Sequence, residues 1–536
     1  MTRYVVVLGS LMSGLGKGIV TASIAKMLSF YGLNAVPMKF DGYLNYDCGT
    51  MNPFRHGEVY VLEDKSEVDM DFGIYERFLN RDMDGTQSIT GGKIFSEIIA
   101  KERTGAYLGN DVQIIPHLTD LIISKVKDVA AHHNADVMVI EVGGTVGDIE
   151  NNYFIEAMRH LSLQEQTAFV CLTYVPELSA VGEQKTKPTQ IALRVMMQAG
   201  IRPDFVVCRC DSRLNETTRS KIALFANLHT SSVIDDSDTS NIYTTPILFM
   251  EQGFDKLLLQ RFGIKRAMRA SRLSVWKRHI SHADASRRAV NVAILGKYTR
   301  LRDSYASINE AVMHGCAANG VKAKISWVEA EDLERDPTTA HSLLGGADAI
   351  IVPGGFGDRG IEGMIYGIRY ARERRVPYLG ICLGMQLMAV EFARNVCNLP
   401  GANSTEFDAN ARYKIVDIMN AQRHLRSKGG TMRLGSQRAT ARRNTIAYSS
   451  YGSPVIFERH RHRYELNNRY VPLLERHGLV VSATTPDGKL VEIIEWKGSF
   501  GIGTQAHPEL KSRPERPAPL FSALIKGAVS ARAARR

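Results

Sequence analysis

Short apolar runs alternate with segments of helical spacing through the chain. Residues 4–8, 34–41, 136–142 and 205–208 are such runs in the first half. Their length and their valine and isoleucine content predict buried strands of the kind found in parallel sheets. Residues 19–31 instead carry apolar side chains at the spacing of a helix. The alternation predicts an α/β fold.

The same alternation restarts in the second half, with apolar runs at 290–296, 349–352 and 376–379. A chain of 536 residues is too long for one hydrophobic core. Residues 265–288 are basic and lack an alternating core pattern, so we expect an interdomain linker there, with helical structure. The pattern predicts domains at 1–264 and 289–536, each a mostly parallel sheet flanked by helices.

A glycine-rich turn follows the first apolar run. Gly9, Gly14, Gly16 and Gly18 surround Lys17 ahead of a helical segment. Glycines let backbone N–H groups approach an anion, and a helix N-terminus adds favourable partial charge. The turn therefore predicts a phosphate site that Lys17 completes. Gly18 stands where the standard P-loop offers a hydroxyl to Mg²⁺, and a tight strand–helix connection is the alternative.

Carboxylates near the predicted strands are candidates for that metal. Lys39 and Asp41 end one strand, and open α/β sheets bind ligands at this edge. Glu141 lies among valine and isoleucine, where a carboxylate is costly unless it is paired or binds a cation. We assign Asp71 and Glu141 to Mg²⁺ because both offer hard oxygen donors. The alternatives are a solvated acidic strand at 67–73 and a salt-bridged structural Glu141.

Residues 185–190, Lys-Thr-Lys-Pro-Thr-Gln, gather two lysines, two hydroxyls and an amide. Pro188 disfavours helix at the residue before it, so we expect an irregular loop. Such a loop suits the phosphates of a second nucleotide, and a merely solvated lysine loop is the alternative.

The apolar run at 376–379 leads into Gly-Ile-Cys-Leu-Gly at 380–384, the cysteine form of a nucleophile elbow. Flanking glycines permit a strained turn that presents Cys382 at a helix N-terminus, which favours the thiolate. The backbone N–H of Leu383, together with that of Gly355, would form an oxyanion hole.

A thiolate needs a base and a group that orients the base. His507 follows a strand-like segment, and Glu509 lies two residues further on. A lone cysteine or histidine is usually structural. The elbow cysteine with a His-Pro-Glu at a strand end is a specific combination, and it predicts nucleophilic attack by Cys382.

Composition excludes other classes of function. The net charge is +11, but no basic stretch interleaves with aromatic residues as in a nucleic-acid module, so polyphosphate substrates explain the charge more simply. No apolar run approaches the roughly 20 residues of a membrane span, and no signal peptide is evident. Seven dispersed cysteines suit a reducing cytoplasm. We expect neither nucleic acid nor membrane as a partner.

These motifs resemble the CTP synthase family of glutamine amidotransferases from about residue 3 to 525. The matching stretches are 14–18, 39–45, 56–59, 75–78, 116–119, 141–150, 185–190, 221–225, 303–305, 353–357, 380–386, 403–407, 458–465 and 507–509. The resemblance implies a P-loop-type synthetase domain followed by a class I glutaminase domain.

The resemblance also implies the reaction, a ligase step of pyrimidine biosynthesis. UTP, glutamine and ATP would yield CTP, glutamate, ADP and phosphate. ATP, as co-substrate, would phosphorylate the uracil 4-oxygen, and ammonia passed internally from the glutaminase site would displace that phosphate. Mg²⁺, allosteric activation by GTP at a position matching Arg359, and a homotetramer are implied as well.

Residue roles follow from the same resemblance, position by position. The implied catalytic residues are Cys382, His507 and Glu509. The implied ATP contacts are Gly14, Leu15, Gly16, Lys17, Gly18, Ile19, Lys39, Asp71, Ser237, Asp238 and Thr239. The implied UTP and CTP contacts are Ser13, Asp148, Ile149, Glu150, Lys185, Thr186, Lys187, Pro188, Thr189, Gln190 and Lys221. The implied glutamine contacts are Gly355, Leu383, Gly384, Met385, Gln386, Glu406 and Arg463.

Some positions depart from the family pattern, namely Gly42, Cys48, Ile191, Met364 and Ala506. The first two replace prolines near the implied ATP site, which loosens a loop. Met364 replaces a lysine and bears on GTP activation. Ala506 replaces an aromatic residue and leaves a small void beside the implied catalytic histidine.

Two other functions fit parts of the pattern. One is a related ATP-dependent amidoligase, such as the cobyrinate-amidating enzymes, but residues 185–190 with Lys221 suit a triphosphate better than a carboxylated macrocycle. The other is a catalytically silent scaffold or filament protein. The presence of all five implied reactive residues argues against it: Cys382, His507, Glu509, Lys17 and Asp71.

Overall fold

The computed structural model describes residues 1–178, 182–284, 288–299, 302–419 and 430–535. The strands in chain order are β1 Arg3–Gly9, β2 Ala35–Asp41, β3 Tyr60–Val61, β4 Glu67–Val68, β5 Ser88–Thr90, β6 Val137–Val142, β7 Thr167–Val175, β8 Glu177–Leu178, β9 Glu183–Gln184, β10 Phe205–Cys210, β11 Val233–Ser237, β12 Ala289–Gly296, β13 Lys322–Glu329, β14 Ala349–Val352, β15 Tyr378–Ile381, β16 Ala402–Ser404, β17 Tyr413–Ile418, β18 Arg433–Ala441, β19 Val455–His462, β20 Tyr464–Leu466, β21 Leu479–Thr484, β22 Val491–Trp496 and β23 Gly501–Thr504.

The helices in chain order are α1 Lys17–Phe30, α2 Pro53–His56, α3 Asp71–Leu79, α4 Gly91–Arg103, α5 Thr119–His132, α6 Asn152–Gln164, α7 Lys187–Gln198, α8 Glu216–Ala226, α9 Thr245–Glu251, α10 Phe254–Arg261, α11 Ala270–Asp284, α12 Ala306–Ala318, α13 Ala330–Arg335, α14 Ala340–Leu344, α15 Ile361–Glu373, α16 Leu383–Asn395, α17 Ile446–Tyr451, α18 Val471–Arg476 and α19 Pro519–Arg535. Among the described residues, no helix combines the length and hydrophobicity that a bilayer crossing needs.

Two compact units divide the chain. Unit 1 comprises Met1–Asp47 and Ile74–Ile280, and unit 2 comprises Cys48–Gly73 and Ser281–Arg536. The functional domain boundaries at 264 and 289 stay a prediction, as does the role of 265–288 as a linker. The helix predicted within that segment is confirmed as α11.

Unit 1 is built on a seven-stranded sheet in the order β11-β10-β7-β1-β6-β2-β5, in which each pair of neighbours is parallel. Alternate residues of β1 serve two cores. Val5 and Val7 pack with Val20 and Ile24 of α1, whereas Val6 belongs to the core on the opposite face. Helices on both faces explain why the predicted strands are apolar throughout rather than alternating.

An aromatic side chain of helix α11 packs into unit 1. Trp276 is fully buried, its ring centroid lies 5.9 Å from that of Phe78, and its indole N–H donates to the Tyr243 carbonyl at 3.1 Å. The Lys26 ammonium lies 3.9 Å above the indole ring, a cation–π contact. A segment with an excess of basic residues therefore packs through a tryptophan.

Unit 2 contains a nine-stranded sheet in the order β13-β12-β14-β15-β23-β22-β21-β18-β19. The first five strands are parallel, and the rest join them as antiparallel neighbours. A smaller sheet has the order β16-β17-β20. The predicted α/β class, with a large parallel sheet flanked by helices, is confirmed. The antiparallel extension of the second sheet was not predicted.

The segment 48–73 belongs to unit 2 through two arginines of β19. Arg459 is fully buried and donates to the Glu63 carboxylate at 2.9 Å and to the Val61 carbonyl at 3.1 Å. Arg461 donates to the Glu67 carboxylate at 2.8 Å. A buried guanidinium is tolerated only when its donors are satisfied, and these contacts supply that pairing.

The local structure differs from prediction in two segments. The strand considered as an alternative for 67–73 is limited to β4, Glu67–Val68, because Asp71 starts α3 and its N–H donates to the Asp69 carboxylate at 2.9 Å. The segment 185–190 was expected to be irregular, but α7 begins at Lys187. Pro188 occupies its first turn, where the missing N–H costs nothing.

Candidate active site

The elbow in unit 2 has the backbone that a reactive cysteine needs. Cys382 joins β15 to α16 with φ of 52° and ψ of −101°, a strained conformation for a residue with a side chain. A β-carbon at Gly384 would lie 2.0 Å from the Val352 carbonyl oxygen, and one at Gly380 would lie 2.6 Å from the Gly384 carbonyl carbon. The two glycines are therefore required by close packing around the turn.

Gly384→Ala tests this packing. The clash with the Val352 carbonyl forces α16 away from β14, and we expect a loss of about 1–3 kcal/mol in the free energy of unfolding. Thermal unfolding of unit 2 should then shift downward by several degrees, about 2–4 °C per kcal/mol. Gly346→Ala is the matched control, since a β-carbon there meets nothing within 4 Å. Equal melting temperatures for the two variants would contradict the packing argument.

The structure brings the three predicted catalytic side chains together. His507 Nδ1 lies 2.7 Å from Glu509 Oε1, and both residues line one cavity with Cys382. A β-carbon at Gly354 would lie 3.7 Å from the Cys382 β-carbon and 3.8 Å from His507 Nε2, so the thiol and the imidazole flank the same glycine. Glu509 is buried and orients the imidazole through Nδ1.

Electrostatics favour a charged imidazole at this position. Burial lowers the pKa of His507, but the Glu509 carboxylate and the neighbouring Cys382 outweigh it and raise the pKa to about 10. An imidazolium next to a sulfur stabilises the thiolate form, the nucleophilic species. The arrangement is a cysteine sulfur beside an imidazole, with a carboxylate behind the imidazole.

The predicted oxyanion donors lie on two elements beside the thiol. Leu383 is the first residue of α16, and a β-carbon at Gly355 would lie 3.7 Å from its side chain. Gly354 and Gly355 follow β14, at the same carboxyl edge of the sheet as Cys382. The two N–H groups stay the predicted donors.

The predicted glutamine contacts surround this edge with opposite charges. Glu406 accepts from the Gly357 N–H at 3.4 Å, and Arg463 donates to the Thr431 hydroxyl at 3.0 Å. Both charged groups affect the pKa of Tyr464. Burial raises this pKa, the Glu406 carboxylate raises it further, and the Arg463 guanidinium lowers it. A carboxylate and a guanidinium suit the ammonium and carboxylate of an amino acid.

Lys297 is a residue that sequence reasoning missed. It follows β12, and its ammonium donates to the Gly357 carbonyl. Burial lowers its pKa to about 8, against the opposing effect of Glu406. Burial likewise raises the pKa of Glu406 to about 6, although the hydrogen bond from the Gly357 N–H and the charge of Lys297 both lower it. Its position after an apolar strand, at the ligand-binding edge, was the signal that could have found it.

A cavity of about 80 Å³ adjoins the thiol. Its lining includes Cys382 and His507 together with Pro53, Glu58 and Val59 of the segment 48–73. That volume exceeds the roughly 10–15 Å³ that a water-sized molecule needs, so ammonia fits.

In unit 1 the glycine turn lies where a phosphate cradle is expected. Gly14 and Gly16 have φ of 80° and 95°, and Gly16 caps α1 without a side chain. The Lys17 ammonium donates to the Gly144 carbonyl at 2.7 Å, across the edge between β1 and β6. Of the other predicted residues here, Ser13 is exposed, Leu15 and Gly18 are buried and Ile19 is half-buried.

The two predicted metal ligands fall in different units. Glu141 is buried in β6, accepts a hydrogen bond from the Tyr75 hydroxyl and lies 3.8 Å from the Lys39 ammonium. Lys39 also lies 3.7 Å from Asp41. Glu141 therefore has the partners of a structural carboxylate as well as the oxygen chemistry of a Mg²⁺ ligand. Asp71 belongs to unit 2, and the pair stays a prediction.

The predicted UTP residues divide into lysines at the surface and buried polar residues. Lys185 and Lys221 both act on Glu183, whose pKa they lower, so their ammonium groups share one surface. Lys187 is exposed, Pro188 is half-buried, and Thr186, Thr189 and Gln190 are buried. Gln190 donates to the Thr186 hydroxyl at 3.0 Å, and Thr189 donates to the Tyr174 carbonyl at 3.1 Å. The buried residues shape the start of α7, and the lysines carry the charge.

The remaining predicted nucleotide contacts follow strand ends of the same sheet. Asp148 comes after β6 and accepts from the Thr145 hydroxyl at 2.6 Å, with Ile149 and Glu150 exposed beside it. Ser237 ends β11, Asp238 pairs with Arg209, and the Thr239 hydroxyl lies 3.0 Å from that of Thr244. These residues extend the carboxyl edge that also holds Lys17.

Of the five departures from the family pattern, Gly42, Cys48, Met364 and Ala506 are buried or closely packed. A β-carbon at Gly42 would lie 2.2 Å from the Asn151 side chain, which leaves no room for a larger residue. Met364 and Ala506 are buried, Cys48 is buried, and Ile191 is exposed on α7. Among the described residues, no two cysteines form a disulfide.

Comparison with known proteins covers both halves. A family model described as CTP synthase N-terminus matches residues 3–264, and one described as Glutamine amidotransferase class-I matches residues 300–526. A solved structure of a Trypanosoma brucei CTPS glutaminase domain with bound acivicin is 36% identical, covers 45% of this chain and 94% of that chain, and gives a TM-score of 0.43.

Curated relatives match over nearly the full length. The CTP synthase of Pyrococcus furiosus is 48% identical over 533 residues, covering 98% of this chain and 98% of its own. The CTP synthase of Archaeoglobus fulgidus is 46% identical over 535 residues, covering 99% of both chains. The chain therefore belongs to the CTP synthase family.

Proposed function

We propose that the protein converts UTP to CTP, with ATP and with ammonia that it releases from glutamine. The observation that carries the proposal is the thiol, imidazole and carboxylate of Cys382, His507 and Glu509 around one cavity, in a chain of this family. The balanced reaction consumes UTP, ATP, glutamine and water, and forms CTP, ADP, phosphate and glutamate.

At the glutaminase site, the Cys382 thiolate attacks the amide carbon, and the oxyanion is held by the N–H groups of Leu383 and Gly355. The His507 imidazolium gives its proton to the departing nitrogen. The C–N bond breaks, ammonia leaves, and the acyl group remains on Cys382 as a thioester. Neutral imidazole then takes a proton from water, which hydrolyses the thioester to glutamate and returns the thiolate. Glu509 holds the ring in the orientation that both transfers need.

Ammonia enters the cavity beside the thiol rather than bulk water, where protonation would end its nucleophilicity. Pro53 and Val59 form an apolar part of the wall of this cavity. At the synthetase site, Lys17 and Lys39 neutralise charge as the γ-phosphoryl group passes to the uracil 4-oxygen. Lys185 and Lys221 hold the phosphates of UTP, and ammonia displaces the phosphate at carbon 4.

We extend the proposal to the remaining partners. Mg²⁺ would be held by carboxylates, for which Asp71 and Glu141 offer hard oxygen donors, and it would neutralise charge on ATP. GTP is proposed as an allosteric activator that binds near Arg359. The guanidinium of Arg359 donates to the Lys297 carbonyl at 2.6 Å. Assembly as a homotetramer and a cytoplasmic location are proposed from the family.

One assay separates this proposal from its rivals. CTP formation is measured by chromatography with UTP, ATP and Mg²⁺, and with either glutamine or ammonium chloride as nitrogen source. We expect CTP from both sources and none when UTP or ATP is omitted. Glutamine hydrolysis with no CTP would indicate an amidoligase for another acceptor, and no reaction of either kind would indicate a silent scaffold.

The pKa of Glu406 predicts how glutamine binding varies with pH. Its pKa, raised to about 6 by burial, makes the carboxylate available to the substrate ammonium above that pH and removes it below. The KM for glutamine should rise roughly tenfold between pH 7.5 and pH 5, as the ionised fraction falls. Glu406→Gln should raise KM and flatten this profile, whereas Glu373→Gln, an exposed change on α15, should leave it intact. An unaltered profile in Glu406→Gln would contradict the assignment.

A further inference from the structure

Gln505 contacts the sulfur of the elbow cysteine. It follows β23, is fully buried, and lies two residues before His507. Its side-chain Nε2 donates to Cys382 Sγ at 3.6 Å, a normal length for a hydrogen bond to sulfur. Its backbone N–H donates to the Glu492 carbonyl at 2.8 Å, which fixes the residue between two strands. No role was predicted for this glutamine from the sequence.

A second glutamine sets the orientation of that amide. Gln386 of α16 donates through Nε2 to the Tyr464 carbonyl at 3.0 Å and to Gln505 Oε1 at 3.3 Å. Gln505 must therefore turn its oxygen toward Gln386, and its NH₂ group toward the sulfur. The opposite orientation would place two NH₂ groups against each other and an oxygen against the sulfur lone pairs.

The contacts of the sulfur distinguish its two protonation states. The Arg461 carbonyl, 3.9 Å from Sγ, can only accept, and so it suits the neutral S–H. The Gln505 N–H can only donate, and so its bond strengthens when the sulfur carries negative charge. Gln505 is therefore a neutral side chain that favours the thiolate, in addition to the charged His507 and the N-terminus of α16.

We propose that Gln505 stabilises the negative sulfur of Cys382, both before attack on glutamine and when the thioester releases it. The proposal rests on the glutaminase function proposed above. The amide N–H supports the thiolate as leaving group in thioester hydrolysis, and it holds the sulfur toward the cavity. Gln386 acts through Gln505 and is a positioning residue.

Other ionisable groups face this sulfur. His507 and, behind it, Glu509 act from the segment after β23. His460 and His462 flank Arg461 on β19, and burial lowers the pKa of each well below its usual value. The Arg461 guanidinium is engaged by Glu67 at 2.8 Å. A change in the thiol's ionisation in Gln505→Met is therefore due to the loss of the amide donor.

The test measures alkylation of Cys382 by iodoacetamide as a function of pH, with the modified peptide quantified by mass spectrometry. This readout needs no turnover. Gln505→Met removes the donor at similar volume, and Gln505→Glu keeps the shape but presents oxygen. We expect the midpoint of the rate profile to rise by about one pH unit in the methionine variant, a tenfold change in ionisation, and by more in the glutamate variant.

Catalysis should follow the same order. Glutamine-dependent CTP formation should fall by about 10-fold in Gln505→Met and further in Gln505→Glu, with kcat affected more than KM. Ammonia-dependent CTP formation should stay within about twofold, since the synthetase chemistry does not use the thiol. Gln437→Met is the matched control in the same unit, because that amide donates to the Leu434 carbonyl at 2.9 Å.

The outcomes separate the inference from the function it rests on. If both variants have the same alkylation midpoint as the unsubstituted protein, the role of Gln505 is overturned, but the glutaminase proposal is not. Full glutamine-dependent activity after complete alkylation of Cys382 would instead overturn the proposed function, whatever the Gln505 variants do. Raised midpoints with normal ammonia-dependent activity support the inference.

Discussion

Cys382→Ala is expected to abolish CTP formation from glutamine, by a factor of about 10⁴–10⁶, because no other group forms the thioester. CTP formation from ammonium chloride should stay within about twofold, since ammonia reaches the synthetase site without the thiol. The measurement is CTP produced per minute with each nitrogen source at saturating UTP and ATP, at a pH high enough to supply free ammonia.

Cys397→Ala is the matched control for this change. Cys397 is another buried cysteine of unit 2, beyond the end of α16 and outside the cavity lining. Cys397→Ala should lower the free energy of unfolding because it leaves a small cavity, but both activities should be retained. Loss of ammonia-dependent CTP formation in Cys382→Ala, with an unchanged melting temperature, would mean that the two chemistries are not separable as proposed.

Lys17→Met should have a different signature, namely loss of CTP formation from both nitrogen sources. Lys17 starts α1 at the glycine turn, and its ammonium already lies at the sheet edge, 2.7 Å from the Gly144 carbonyl. Removing one preorganised charge that stabilises phosphoryl transfer costs about 10²–10³-fold in rate. ADP release should fall by the same factor as CTP formation, because phosphorylation of UTP precedes amination.

Lys101→Met, an exposed change on α4, is the control and should retain full activity. Cys382→Ala and Lys17→Met together test whether the two sites have separate roles. The first variant should lose the use of glutamine as a nitrogen source, and the second should lose the phosphorylation of UTP. Normal ammonia-dependent CTP formation in Lys17→Met would contradict the assignment of the glycine turn to ATP.

Features close together in sequence were predictable. The strand–glycine–helix order around Lys17 and around Cys382 lies within short segments, and each segment has the backbone that its glycines require. The family and the α/β class followed from such motifs and are confirmed. The roles of the individual site residues stay predictions, although the geometry brings Cys382, His507 and Glu509 to one cavity.

The local errors have identifiable causes. Alternating acids at 67–73 resemble a strand, but the Asp69 carboxylate accepts the Asp71 N–H and a helix starts instead. Pro188 was taken to break a helix, yet a proline in the first turn lacks only an N–H that has no helical partner. In both cases the residues at the start of a helix outweighed the average preference of the segment.

Local composition and motifs were enough to predict the buried strands, the turns that can approach an anion or expose a thiol, and the family. The surroundings of the thiol are visible only in the folded chain: Gln505 with its NH₂ group toward the sulfur, Lys297 near Glu406, and residues 48–73 lining the cavity. These neighbours come from distant parts of the chain, and their positions depend on strand order and register, which local composition does not encode.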